Sequence, residues 1–173
     1  MGQTTKPLSI VSTYLVSRVK RGDKIPEVVL KKFFEKGETA LDDKKAVAET
    51  YLTGERFEEA GWCYEQLRMP DQARECIIRR ARWFEDYYWQ LREKGSNPGG
   101  QILIAALERY SQLGMKDAIL ACARKLADNG SFIAAKEIFE REGMPEEAEE
   151  VRRHMLNHIK SLLGQIKVHD ESV

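Results

Sequence analysis

Apolar residues recur at three- and four-residue steps almost everywhere along this chain, and no run alternates apolar with polar over the length of a strand. The pattern predicts an all-α protein of about nine helices. In residues 7–21 the stripe is Leu8, Val11, Leu15 and Val19, and Gly22-Asp23 stops it. Pro26 suits a first helical turn, where its missing N–H costs nothing, and Val29, Leu30, Phe33 and Phe34 give the second helix a broad apolar face before Gly37. A third helix over 39–53 carries Leu41, the stem of Lys44, Val47, Ala48, Tyr51 and Leu52, closed by Gly54.

A fourth helix over 55–67 has Phe57, Ala60, Gly61 and Tyr64 on one side. The longest element, 71–94, aligns Ala73, Ile77, Ala81, Phe84, Tyr88 and Leu91, and the glycine-rich stretch 95–100 breaks it. Helices are then expected over 101–113, 116–128, 131–142 and 145–167, the last with Ala148, Val151, Met155, Ile159, Leu162 and Ile166 as its inward stripe.

Self-similarity separates a bundle from a stack of repeats. Phe57, Ala60, Tyr64, Met69, Pro70 and Ala73 reappear as Phe132, Ala135, Phe139, Met144, Pro145 and Ala148, every landmark displaced by 75 residues. A shorter copy, Tyr110, Gly114, Met115 and Ala118, lies between them. Each copy is an aromatic near a helix end, a Gly or Arg followed by Met at the turn, then a helix start and an Ala. Met fills the corner between helices, and Ala lets the next helix approach. Such a unit cannot bury its apolar face alone and must stack on neighbours.

These residues resemble the tetratricopeptide-repeat family and its looser α-solenoid relatives. Ala48 and Tyr51 followed by Phe57, Ala60 and Tyr64 match that family's helix–turn–helix pattern, and Ala123 and Leu126 followed by Phe132, Ala135 and Phe139 match it again with Leu for the first aromatic. The resemblance spans residues 39–150 and implies a right-handed α-solenoid of antiparallel helix pairs: an N-terminal pair or cap over 1–37, repeats over 38–144, and a C-terminal capping helix and tail over 145–173, in one domain overall. It also implies that the first helices of successive pairs line a groove. Partner-binding candidates on that basis are Lys44, Lys45 and Glu49, then Arg79, Arg80, Trp83 and Tyr87, then Lys116 and Arg124.

Composition narrows the function classes. At 173 residues the chain suits one domain that buries roughly 70% of its unfolded surface. Lys plus Arg (28) equals Asp plus Glu (28), which removes bulk attraction to nucleic acid or anionic membrane, so any basic surface must be local. Cys63, Cys76 and Cys122 are odd in number and lie inside apolar helical patterns without zinc-like or disulfide-like spacing; they read as small buried hydrophobes in a reducing compartment. With no long uncharged apolar stretch and a polar start, the expectation is a cytoplasmic protein that does not enter membrane.

Catalytic chemistry finds little to stand on. The glycine-rich stretch 95–100 follows a helix and lacks the Lys-Ser/Thr of a phosphate-binding loop. His154 and His158 stand one turn apart with Glu150 on the same line and could hold a metal, but a catalytic zinc needs a third ligand; the other reading is two polar positions on a helix. All three His, including His169, cluster near the C-terminus, so no nucleophile–base pair can be argued. The expectation is a non-enzymatic scaffold or adaptor with no cofactor and no metal, binding a protein or peptide. Its most informative segment is 79–89, where Trp83 and Tyr87 form a line one turn apart beside Arg79 and Arg80. Exposed, that line is a cationic aromatic strip suited to an acidic or extended peptide, or to single-stranded nucleic acid as the alternative. Contacted on several sides, it is core. A further alternative is an interaction region of a larger protein, whose sign would be apolar area left open on the first or last helix.

Overall fold

The computed structural model describes residues 7–170 apart from 38, 97 and 99, with side chains described as far as residue 164. Among the described residues there are nine α-helices and no strand: α1 (Ile10–Lys20), α2 (Glu27–Glu35), α3 (Leu41–Thr53), α4 (Phe57–Gln66), α5 (Pro70–Glu93), α6 (Gln101–Gln112), α7 (Lys116–Asp128), α8 (Phe132–Arg141) and α9 (Pro145–Asp170). None of them is long and apolar enough to cross a membrane. The chain divides into two compact units, Met1–Arg109 and Tyr110–Val173.

In the first unit α3 packs on α1 and on α4, and α4 packs on α5. Leu15, Val19, Leu30, Phe33, Phe34, Val47, Ala48, Tyr51, Ala60, Cys63, Tyr64, Ala73 and Cys76 join in one buried cluster. Two expected stripes hold, through Leu15 and Val19 on α1 and Val47, Ala48 and Tyr51 on α3, but depart near the start of each helix. On α1, Ser12 faces inward and Val11 is exposed; the Ser9 side chain caps the helix and keeps the inward Ser12 hydrogen-bonded, its Oγ accepting from the Ser12 backbone N–H at 3.3 Å and lying 2.8 Å from the Ser12 Oγ. On α3, Leu41 is exposed while Asp43 is buried, its carboxylate accepting the Ser9 backbone N–H at 3.3 and 3.4 Å beside the positive end of α1.

The second unit repeats the first in its helix bounds. α3 and α7 each have 13 residues and α4 and α8 each have 10, and the starts of α7, α8 and α9 fall 75 residues after those of α3, α4 and α5. In this unit α7 packs on α8 and α8 on α9. Ile119, Leu120, Cys122, Ala123, Leu126, Ala135, Ile138, Phe139, Ala148 and Val151 are buried.

The turns explain the sequence landmarks. Met69 N–H donates to the Tyr64 carbonyl at 2.9 Å, Met115 N–H to Tyr110 at 2.9 Å and Met144 N–H to Phe139 at 2.8 Å. Each bond runs back five residues, from the residue after a left-handed position to a carbonyl in the last helical turn, and so closes the helix end. The left-handed residue is Gly143 in the second copy (φ 74°) but Arg68 in the first (φ 55°). The preceding turns differ in the same way, Gly130 at φ 77° against Glu55 at φ 57°. A side chain in this region crowds its own carbonyl, so the first copy carries a local strain that the second lacks.

Only the first part of α9 keeps its expected stripe. Ala148 and Val151 are buried and Met155 is half-buried, but Ile159 and Leu162 are 43% and 46% exposed, and Ile166 lies outside the described side chains. The reason is length: α8 extends roughly 15 Å and α9 roughly 39 Å, so α8 cannot cover the outer half of its partner.

Two substitutions isolate the backbone contribution. Gly143→Ala places a Cβ with nothing within 4 Å, so its loss reports conformation alone, about 1 kcal/mol. Arg68→Gly relieves the same conformation, with an expected gain of up to about 1 kcal/mol. Urea unfolding of both variants measures these changes; equal signs would show that the two turns are not equivalent.

Candidate functional site

α5 is amphipathic along its first half and nearly encircled by aromatics in its second. Ala73, Cys76, Ala81, Tyr88 and Trp89 are buried, whereas Trp83 and Tyr87 are each 42% exposed. Their spacing of one turn lets the rings stack, with centroids 5.3 Å apart and planes inclined by 16°. Trp83 also meets Phe84 edge-on at 5.3 Å.

Because α4 and α5 form a hairpin about the Met69 turn, the first turn of α4 comes to rest beside the middle of α5. Glu58 and Arg80, each eleven residues from Met69, form an ion pair there. The Arg80 guanidinium also lies over the Phe84 ring, 5.4 Å from its centroid. Its proton affinity is lowered by burial and then by the like charge of Arg109. Arg56, on the other side, donates to Glu59 at 2.5 and 3.0 Å and to the Asp23 carbonyl at 2.8 Å, and covers the ring of buried Tyr51. Between these groups opens a cleft of about 270 Å³ walled by Glu55, Phe57, Glu58, Arg80, Trp83 and Phe84, with Arg56 and Glu59.

The candidates read from the sequence separate into three groups. Arg80 and Trp83 line the cleft, and Tyr87 stacks on Trp83. Arg79 is exposed outside the lining and ion-paired with Glu75 at 2.9 Å, so the expected cationic strip has both of its arginines bound to carboxylates. Lys44 serves the fold: its Nζ donates to the Phe34 carbonyl at 2.6 Å and the Lys36 carbonyl at 3.1 Å, closing the carboxyl end of α2, where a cation is favoured by the helix dipole. Lys45 is half-buried and Glu49 exposed on the same helix, away from the cleft lining. Lys116 and Arg124 belong to the second unit, where Lys116 donates to the Glu142 carbonyl at 3.0 Å and Arg124 is exposed.

Glu55, Arg56, Phe57, Glu58 and Glu59 were not among the candidates. Helical periodicity says nothing about partners on another helix, but mirroring positions about Met69 would have placed Glu58 opposite Arg80.

Potential ligands for chemistry are dispersed. Cys63, Cys76 and Cys122 are buried thiols that form no disulfide. Burial pushes the Cys63 thiol from 9.0 up to about 12, with Glu59 and Cys76 adding smaller repulsions, and burial raises Cys76 as well. His154 and His158 are exposed, the His158 ring resting 5.7 Å from that of Phe132. Among the described residues no three His, Cys, Asp or Glu side chains group to hold a metal, and His169 lies outside the described side chains. No family model, curated protein or solved structure matches the chain.

The Cys63 shift carries a sign. The folded state holds the thiol proton more tightly than the unfolded chain, so its contribution is intact below pH 9.0 and is lost as pH rises toward about 12. Stability measured by urea unfolding is therefore expected to fall across that window, and Cys63→Ala to flatten the fall while lowering stability at neutral pH through the lost packing. An unchanged alkaline slope in the variant would assign the fall to other groups.

Proposed function

We propose that this chain is a non-enzymatic protein-interaction module that holds an extended segment of a partner protein against the α4–α5 cleft, with Trp83 and Tyr87 as anchors. In this reading the antiparallel helix pairs stack as a right-handed, tetratricopeptide-like α-solenoid. The equal lengths of α3 and α7, and of α4 and α8, support that arrangement, since a repeated unit buries its face against a neighbour of the same shape.

The observation that carries the proposal is the stacked Trp83–Tyr87 pair, left open beside a walled cleft on a helix whose neighbouring aromatics Tyr88 and Trp89 are buried. Trp and Tyr are the side chains most often found at the energetic centre of protein interfaces, because they bring large rigid area at small entropic cost. Arg80 and Glu58 then act as a rim that orients the segment. Ion pairing of Arg79 and Arg80 also weighs against single-stranded nucleic acid, whose phosphates need cations free to replace their counterions.

Selection from a random peptide library on the intact chain tests this. Enriched peptides are expected to bind with a Kd on the order of micromolar, and Trp83→Ala or Tyr87→Ala to weaken them by about ten-fold or more. The thermal midpoint of either variant should stay near that of the parent, since both rings lie at the surface and outside the buried cluster. Enrichment indifferent to Trp83, collapse of the midpoint, or preferential capture of an oligonucleotide with a steep salt dependence would each overturn the reading.

A further inference from the structure

We infer that the outer half of α9 is a docking face for an acidic amphipathic helix of a partner protein. The face consists of Leu156, Ile159, Leu162 and Leu163, which are 40%, 43%, 46% and 55% exposed. Leu156, Ile159 and Leu163 follow the four- and three-residue steps by which one helix packs on another.

The internal duplication indicates what such a face is for. Displaced by 75 residues, Leu156 corresponds to Ala81 and Leu163 to Tyr88, which are 0% and 5% exposed in the first copy, Ile159 to half-buried Phe84, and Leu162 to Tyr87, a position exposed in both copies. The line of Leu156, Ile159 and Leu163 is thus covered wholly or in part in α5 and open in α9. The open copy is also the more apolar one, Leu standing where the covered copy has Ala at one position and Tyr at the other. Hydration of side chains of this size is costly enough that four of them on one helix side mark a contact surface.

Charge selects the occupant. From residue 151 to 164 there are three cations, Arg152, Arg153 and Lys160, all exposed, together with His154 and His158, and no carboxylate. The acidic groups that precede this stretch on α9 are Glu146, Glu147, Glu149 and Glu150, and Glu149 pairs with Arg152 at 2.7 Å. A helix with apolar residues along one side and Asp or Glu beside them meets both features. A second copy of α9 would bring the same cations against this rim, and an anionic lipid surface would meet the four glutamates of the inner half.

The test uses the whole chain and two synthetic amphipathic peptides, both with Leu at heptad positions a and d, one with Glu at e and g and the other with Lys. The Glu peptide is expected to bind in equal stoichiometry by calorimetry and to shift the methyl resonances of Leu156 and Leu163, while the Lys peptide does not bind. Leu156→Ser with Leu163→Ser should weaken the Glu peptide by about ten-fold or more with an unchanged urea midpoint. Arg153→Glu with Lys160→Glu should reverse the preference between the peptides. Trp83→Ala should leave this binding intact, which separates it from the α4–α5 cleft. Failure of the Glu peptide to bind, equal binding of both peptides, indifference to the paired leucine substitutions, dimerisation through α9 by light scattering, or stronger capture of this face by phosphatidylserine vesicles would each overturn the inference.

Discussion

The architecture depends on how each short helix reverses into the next. One residue takes left-handed backbone, and the N–H after it returns to a carbonyl five residues earlier, as in Met69 to Tyr64 and Met144 to Phe139. That closure satisfies carbonyls that would otherwise be orphaned, and it sets the angle at which the following helix leaves. Small residues then allow contact: a Cβ added at Gly61 on α4 would lie 3.5 Å from the Cys76 Cβ on α5, with Ala60 and Ala73 buried alongside.

A consequence of this unit is unequal length. The 10-residue helices α4 and α8 cannot cover partners of 24 and 26 residues, so each hairpin projects an outer stretch of long helix that is free to take another role. The two copies have used that freedom differently. In α5 the outer stretch is part core, through Ala81, Tyr88 and Trp89, and part open aromatic pair, through Trp83 and Tyr87. In α9 the matching stretch is aliphatic, basic at its edges and open.

Electrostatics acts locally in a chain whose formal charges cancel. Lys44 and Lys116 bond helix-terminal carbonyls, Asp43 bonds the amino end of α1, and Arg56, Arg79 and Arg80 each hold a glutamate. Charged side chains that look like ligand contacts in a linear reading therefore serve the fold in several cases. The exposed aromatics and aliphatics have no comparable partner role, which is why they, more than the cations, mark the candidate surfaces.

How much was legible follows from what each signal encodes. Local spacing determined the helical class, the 75-residue displacement of the landmarks of the two long repeats, and the burial of all three cysteines, because apolar periodicity and turn chemistry act within a few residues along the chain. The line of Trp83 and Tyr87 was visible for the same reason. Tertiary structure alone decided that Arg80 is held by Glu58, that Lys44 closes α2, that Ser12 and Asp43 turn inward in place of Val11 and Leu41, and that the stripe of α9 is covered only as far as Met155. Those outcomes depend on which side chain lies opposite, and on where a neighbouring helix stops, neither of which is encoded by periodicity within a single helix.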